Sequence, residues 1–161
     1  MVVSMADKLI DRGLILDLVP QQPPFRFIDG IEHVDDQTIT GTYRFRENEY
    51  FYRGHFPGRP ITPGVILLET MAQTGVVAFG IYLLLRGGRP ADEIRRMGTV
   101  FATADEVEFS SMVLPGERVI VRGTKVYLRR ESLKTRIIME KEDGRLVCSG
   151  TLAGMGVSFD E

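Results

Sequence analysis

The distribution of apolar and polar residues divides the chain into short alternating segments and one long apolar run. Alternation is typical of strands with one buried face, and it predicts strands over residues 25–34, 38–45, 98–109, 118–128, 132–141 and 146–157. Polar turns at residues 35–37 and 143–144, and the pair Pro115-Gly116, separate neighbouring strands. The pattern therefore predicts an antiparallel sheet with hairpins at the first two and the last two strands.

The long apolar run covers residues 65–85. Its 21 residues are enough for a helix that spans a membrane. The run carries Glu69 and Gln73, however, and an ionised carboxylate is costly in lipid. Because the segments after the run fit a soluble sheet, we expect a buried helix at the centre of the fold and no membrane association.

A helix that is apolar on all sides needs cover on all sides. A curved antiparallel sheet wrapped around the helix provides most of this cover, and a second copy of the chain would provide the rest. The predicted fold class is α+β, with a single domain over residues 1–161. Residues 1–19 form its N-terminal helical segment, since residues 7–18 fit a helix and the prolines between positions 20 and 24 stop it.

The composition limits the kinds of partner that the protein can bind and indicates the compartment in which it works. A formal net charge of -2 argues against a surface for nucleic acid or for anionic membrane. Cys148 is the single cysteine, so an internal disulfide is impossible, and with two histidines it does not complete a zinc site. Charged residues between positions 7 and 12 do not fit a signal peptide. We expect a cytoplasmic protein without a bound metal.

The start of the long helix has the features of an anion site. Thr62 is suited to cap the helix and Pro63 to its first position, which leaves the amides of Gly64 and Val65 without partners inside the helix. Gly64 has no side chain to keep a ligand away from the backbone, and the helix dipole favours negative charge there. We therefore predict that these amides stabilise an oxyanion.

Two groups suited to proton transfer lie on either side of this helix start. Glu69 and Gln73 fall on one face of the helix, and burial there would raise the pKa of the carboxyl group so that it can donate a proton. His55 lies just before the helix, and histidine readily exchanges protons near neutral pH. Taken singly, such a histidine is more often a surface residue, and such a glutamate is more often paired structurally. Together they supply the base, the acid and the electrophilic site that a reaction next to a thioester carbonyl needs.

Three segments resemble a known family. Residues 54–73, GHFPGRPITPGVILLETMAQ, are similar to the pattern G-H-F-P-x-x-P-x-M-P-G-V-x-x-x-E-x-x-A-Q of the 3-hydroxyacyl-(acyl-carrier-protein) dehydratases. PFRFIDGI at residues 24–31 resembles the P-F-L-L-V-D-R of that family, and VLPGERV at residues 113–119 resembles its V-x-P-G-D-x-L. The resemblance thus covers most of residues 14–157.

The resemblance implies a hot-dog fold, in which the sheet wraps around the central helix and active sites form across a homodimer interface. Such dimers commonly assemble as trimers, which gives a hexamer. By position, His55 is the catalytic histidine, Glu69 of the opposite subunit is the catalytic acid, and the Gly64 amide binds the oxyanion. The carbonyl of Ile61 orients the histidine. Around the substrate we expect Ile61, Val65, Gln73 and Phe56.

The implied activity is removal of water from (3R)-3-hydroxyacyl thioesters in fatty-acid or related lipid biosynthesis. The partner is acyl carrier protein, whose phosphopantetheine carries the substrate, and no cofactor is needed. Three departures from the family pattern bear on acyl specificity and docking. Thr62 replaces a usual methionine, QQP at residues 21–23 replaces H-R-Y, and the basic pair expected before VLPGERV is missing near Met112.

Two alternatives stay open at this point. A hot-dog thioesterase would use the same helix start but would direct an activated water at the carbonyl, without need of His55. A non-catalytic acyl-binding subunit would not need His55, Gly64 and Glu69 together. The length of the acyl chain and the pathway are not determined by these residues.

Overall fold

Six antiparallel strands form one sheet in the computed structural model, which describes residues 9–159. The strands are β1 (Gly30–Val34), β2 (Thr38–Arg44), β3 (Met97–Phe109), β4 (Arg118–Arg129), β5 (Ser132–Lys141) and β6 (Leu146–Ser158). Their order in the sheet is β1-β2-β4-β5-β6-β3, so β1 and β3 are the edge strands. The α+β class and the sheet predicted from alternation are confirmed.

The helices lie between the strands and before them. They are α1 (Arg12–Leu18), α2 (Gly64–Ala72), α3 (Phe79–Arg86) and α4 (Ala91–Ile94). A 3-10 helix covers Tyr50–Arg53, and a π-helical segment, Gln73–Ala78, joins α2 to α3. The three segments from Gly64 to Arg86 form one continuous helix of 23 residues, which we call the central helix.

The central helix is the buried helix that the apolar run predicts. By length and composition it is the one helix between residues 9 and 159 that is long and apolar enough to cross a membrane. Within its most apolar window, 72% of the residues are buried inside the fold. Gly75 shows how closely this helix lies on the sheet, because a Cβ atom there would overlap the side chain of Ile137 in β5.

Two predicted boundaries were wrong at the N-terminal side. The first strand was expected over residues 25–34, but β1 begins at Gly30. Asp29 N–H already donates to Thr42 in β2, but Phe27 N–H donates to the Gln73 side chain and Phe25 N–H donates to the carbonyl of Gln22. The first helix was expected over residues 7–18 and begins at Arg12, while residues 7 and 8 lie outside the described part.

The remaining boundaries agree closely with the alternation. β5 covers the predicted residues, and the other strands differ by one residue at an end. The turn at residues 143–144 joins β5 to β6, with Gly144 at φ 86°, a conformation that favours glycine. The polar connection at residues 86–96 contains the short helix α4.

The two edges of the sheet differ in length and in exposure. β1 has five residues, whereas β3 has 13 and pairs with β6 alone. The exposed face and edge of β3 carry large apolar side chains, among them Val100, Phe101 and Phe109, each about half exposed. A long exposed edge with apolar side chains is a surface on which another strand can pair.

Candidate active site

His55 lies in the loop between the 3-10 helix and α2. Its backbone N–H donates to the carbonyl of Phe51 at 3.0 Å, and its own carbonyl accepts from Ile61 N–H at 2.9 Å. The imidazole Nδ1 is 2.9 Å from the carbonyl oxygen of Ile61. Because a carbonyl oxygen only accepts hydrogen bonds, Nδ1 carries the hydrogen and Nε2 keeps a free lone pair. The half-buried histidine is thus held with Nε2 free to accept a hydrogen bond.

The first turn of α2 presents free amides next to this loop. The helix begins at Gly64 with Pro63 as N-cap residue, and no side chain caps it. Among the described residues, no hydrogen-bond acceptor is paired with the amides of Gly64 and Val65. A Cβ atom at Gly64 would be 3.3 Å from the ring of Phe109, a tight contact that glycine avoids.

The predicted cap by Thr62 is wrong. The Thr62 hydroxyl does not face the helix amides and instead lies 2.6 Å from the hydroxyl of Tyr52. Pro63 also stands one position earlier than predicted, as the N-cap residue. The helix start is therefore left uncapped, and its amides stay available to a ligand oxygen.

Glu69 and Gln73 lie side by side on one face of the central helix, as their spacing predicts. Gln73 Nε2 donates to Glu69 Oε1 at 3.1 Å and to the carbonyl of Phe25 at 3.0 Å, while Gln73 Oε1 accepts from Phe27 N–H at 2.6 Å. Burial raises the pKa of the Glu69 carboxyl group, and the hydrogen bond from Gln73 partly opposes this shift. The carboxyl group can therefore hold a proton at a higher pH than an exposed glutamate.

A narrow cavity opens on Glu69 between the central helix and the edge of the sheet. Gln21, from the segment after α1, also lines it. The remaining lining residues are mostly apolar or small and come from the helix, from β3 and from β6, namely Ala72, Val76, Val77, Thr99, Val100, Phe101 and Gly154. Sequence reasoning missed the approach of Gln21 to this site. Its Oε1 is buried without a hydrogen-bond partner in the described structure.

The structure brings some of the predicted residues together and keeps others apart. His55, Ile61 and the Gly64 amide belong to one continuous loop and helix start. Between residues 9 and 159, no hydrogen bond or ion pair joins His55 to Glu69. Glu69 faces the cavity beside β3, which is the exposed edge of the sheet.

The residues predicted around the substrate occupy two environments. Phe56 is 51% exposed and stacks on the His55 ring, with the ring centres 4.1 Å apart, and Val65 is 73% exposed. Phe56 therefore lies against the His55 ring, and Val65 lies exposed in the first turn of the helix. Gln73 is fully buried and bonds to Glu69, and Ile61 bonds to His55, so these two support the candidate acid and base. Their contact with substrate stays a prediction.

Comparison with known proteins decides the family. A family model described as a FabA-like domain matches residues 19–153. A 3-hydroxyacyl-(acyl-carrier-protein) dehydratase FabZ of Caldicellulosiruptor bescii is 33% identical over 139 residues, which are 86% of this chain and 92% of the relative. The chain belongs to the FabA-like dehydratase family. The resemblance inferred from residues 54–73 is confirmed.

A second relative by sequence and a solved structure are also similar to this chain. A 3-hydroxyacyl-(acyl-carrier-protein) dehydratase FabZ of Geobacter metallireducens is 39% identical over 114 residues, 70% of this chain and 71% of the relative. Among solved structures, a chain of the dehydratase heterocomplex ApeI:P from Xenorhabdus doucetiae superposes with a TM-score of 0.73 at 11% identity, over 90% of this chain and 91% of that one.

Hot-dog proteins with other activities are also similar in fold. A hypothetical thioesterase of Streptococcus pneumoniae, solved with coenzyme A, has a TM-score of 0.52 at 14% identity, over 80% of this chain and 84% of that one. At such identity the likeness concerns the fold alone. The hot-dog fold is confirmed, and the sequence relationship separates this dehydratase from the thioesterases.

Proposed function

We propose that this dehydratase removes water from (3R)-3-hydroxyacyl thioesters carried by acyl carrier protein and releases trans-2-enoyl thioesters. The activity is that of a hydro-lyase, in fatty-acid or related lipid biosynthesis in the cytoplasm. His55 acts as base, the Gly64 amide binds the oxyanion, and Glu69 of a second subunit acts as acid. The chemistry uses these protein groups and the thioester, without a cofactor.

The observation that carries the proposal is the hydrogen bond between His55 Nδ1 and the carbonyl of Ile61. It places the hydrogen on Nδ1 and leaves Nε2 with a free lone pair, on a loop whose residues Phe56 to Pro60 are exposed. A thioester bound there presents its C2 hydrogen to Nε2. Removal of this proton leaves the electron pair of the C2–H bond on the substrate.

The unpaired amide of Gly64 supports the next part of the reaction. As the C2–H bond breaks, negative charge develops on the thioester oxygen. A backbone N–H at the positive end of a helix stabilises this charge more strongly than it stabilises the neutral carbonyl. The two groups are joined through Ile61, Thr62 and Pro63, so the base and the oxyanion site keep a defined spacing.

Glu69 supplies the proton for the leaving hydroxyl group. The electron pair released at C2 forms the double bond to C3, the C3–O bond breaks, and the hydroxyl group takes the Glu69 proton and leaves as water. The reaction ends with a protonated His55 and an ionised Glu69. Transfer of one proton from the histidine to the carboxylate restores the starting state.

We further propose that the acid and the base of one site come from different subunits. Glu69 lines the cavity beside the exposed edge strand β3, and the lining residues of this cavity do not include the His55 loop of its own chain. Pairing of two β3 strands would continue the sheet and would bury Val100 and Phe101. Each homodimer would hold two sites, and three such dimers would give the hexamer implied by the family resemblance.

Product analysis tests the reaction itself. The protein is incubated with 3-hydroxyacyl thioesters of several chain lengths, on acyl carrier protein and on a short thiol, and the products are identified by mass spectrometry. We expect the loss of one water with the thiol still attached. Release of free thiol without loss of water would identify a thioesterase, and unchanged substrate at every length would identify an acyl-binding protein.

Light scattering tests the assembly. We expect the wild-type protein to have the mass of a dimer or hexamer, and Phe101→Lys to reduce it by placing a charge on the pairing edge. Val126→Lys is the matched control, because Val126 is 55% exposed on β4 inside the sheet. A wild-type protein with the mass of one chain would contradict the shared site.

A further inference from the structure

The loop that carries His55 is closed by short-range hydrogen bonds and is mostly exposed. Phe56 and Arg59 exchange backbone hydrogen bonds at 3.1 and 2.9 Å, and Ile61 N–H donates to the His55 carbonyl. All residues from Phe56 to Pro60 are exposed. Such a loop needs an anchor in the core if the imidazole is to keep one position during the reaction.

Two buried hydroxyl groups provide this anchor. Tyr52 is 5% exposed and lies just before the loop, and Thr62 is 3% exposed and lies just after it. Their hydroxyl oxygens are 2.6 Å apart. The backbone N–H of Thr62 donates to the carbonyl of Val113 at 2.9 Å, which ties the same point to the segment before β4.

Tyr52 and Thr62 lie close along the chain to His55 and to the Gly64 amide. Thr62 follows Ile61, whose carbonyl orients the imidazole of His55, and it lies two residues before Gly64. Tyr52 belongs to the 3-10 helix whose Phe51 carbonyl accepts from the His55 amide. A change at the hydroxyl pair therefore shifts the base and the oxyanion amide relative to each other.

Because both hydroxyl groups are buried, each depends on the other for a hydrogen bond. Neither hydroxyl has another side-chain or backbone partner in residues 9–159, and a buried hydroxyl without a partner is unfavourable. Burial also raises the pKa of Tyr52 to about 12, so the phenol keeps its proton over the range in which the enzyme works. A phenol that does not ionise takes part by position and not by proton transfer.

We propose that Tyr52 and Thr62 are positioning residues, whose hydroxyl–hydroxyl bond fixes His55 and the Gly64 amide in the spacing that dehydration requires. The proposal rests on the proposed function of these two groups. It gives a reason for Thr62 at a position where the family pattern has methionine. A methionine side chain offers only a weak acceptor to the buried tyrosine.

The test compares Tyr52→Phe, Thr62→Val and the double variant with the wild-type dehydratase. Each single variant removes one hydroxyl with little change of shape, and we expect kcat to fall roughly 10- to 100-fold with KM changed less than about 3-fold. The double variant should be no slower than the slower single variant, because both substitutions break the same bond. Thr62→Ser keeps the hydroxyl and should recover most of the kcat that Thr62→Val loses.

Tyr82→Phe is the matched control. Tyr82 is also a buried tyrosine, 8% exposed, and its hydroxyl donates to Asp36 at 3.4 Å in another part of the fold. We expect this variant to keep the wild-type kcat. Urea unfolding and light scattering on every variant establish that each assay is made on folded protein of the wild-type assembly.

Amide hydrogen exchange gives a readout that does not depend on turnover. Breaking the pair should speed exchange of the Ile61 amide by about 10-fold, since this amide closes the His55 loop. If kcat and Ile61 exchange in Tyr52→Phe and Thr62→Val stay within about 3-fold of wild type, the positioning role is wrong. If the two losses multiply in the double variant, the hydroxyls do not act as a pair. A wild-type protein that does not dehydrate any substrate would instead overturn the proposed function.

Discussion

The proposed base and the proposed acid of this dehydratase are held in different ways. His55 is supported by its own loop, through Ile61 and Phe51. Glu69 is supported by Gln73, whose amide also bonds to the backbone of a segment far away in sequence, at Phe25 and Phe27. The loop is largely exposed, whereas Gln73 is fully buried.

Because of this difference, we expect substitutions in the His55 loop to change the reaction rate with little change in stability. Substitutions at Gln73 should change both the rate and the stability. Changes in an exposed loop alter few buried contacts, so they affect chemistry more than folding. Changes in a buried polar network leave unsatisfied groups in the core, so they affect both. The following predictions test this contrast, beginning with the largest expected effect.

Removal of the base should eliminate catalysis without unfolding the protein. We expect His55→Ala to lower kcat/KM by about 10²- to 10⁴-fold, the contribution of a positioned general base. The free energy of unfolding should change by less than about 1 kcal/mol, the scale of one hydrogen bond. The measurements are product formation by mass spectrometry and urea unfolding.

His33 provides the control for this variant. It is the other histidine of the chain, it is exposed, and it bonds to Asp35 at 2.9 Å. His33→Ala should keep the wild-type rate. If His55→Ala is as active as His33→Ala, His55 has no part in the reaction.

Mixing two inactive variants should restore activity if the site is shared between subunits. His55→Ala and Glu69→Gln protomers, exchanged by mild denaturation and refolding, form heterodimers in which one site has both lesions and the other has none. Random pairing of equal amounts should give about a quarter of the wild-type activity. Glu69→Gln keeps the size and the hydrogen bond to Gln73 while removing the proton donor.

Differential tags show whether the heterodimers form. Each variant refolded alone serves as the control and should remain inactive. Tagged heterodimers without activity would mean that His55 and Glu69 do not meet across the interface.

Loss of the support for the acid should reduce stability as well as rate. Gln73→Met removes three hydrogen bonds and leaves the amide of Phe27 and the carbonyl of Phe25 unsatisfied. We expect a loss of about 2 to 4 kcal/mol in the free energy of unfolding, measured with urea at equal protein concentration. Gln22→Met is the control, because Gln22 is exposed and its side chain makes one hydrogen bond within residues 9–159, to the carbonyl of Val19. If Gln73→Met and Gln22→Met are equally stable, the buried network around Gln73 does not contribute to stability as proposed.

The smallest effect concerns the ionisation of Glu69. Its pKa is raised in the folded state by burial, so the fold binds the proton more tightly than the unfolded chain does. The wild-type protein should therefore lose stability relative to E69Q as the pH rises from the ordinary value of 4.5 to the raised value in the fold. Urea unfolding of both proteins over this range measures the difference. A difference that does not vary with pH would show that Glu69 titrates as an exposed carboxyl group.

Local patterns in the sequence predicted the elements of the fold and the contacts of the candidate catalytic groups. Apolar and polar alternation located the strands to within one residue at most ends, because the side chains of a strand alternate between two faces. Spacing on a helix placed Glu69 beside Gln73, and the bond between them is 3.1 Å long. The family motif pointed to His55 and the carbonyl of Ile61, which are 2.9 Å apart.

Other features were decided by contacts between distant segments, which local patterns do not contain. Residues 25–29 alternate like a strand, yet the side chain of Gln73 binds their backbone, and β1 starts only at Gly30. Thr62 has the sequence position of a helix cap, yet the hydroxyl of Tyr52 is its partner. A hydrogen bond depends on distance in space, and only the folded chain determines which polar groups become neighbours in the core.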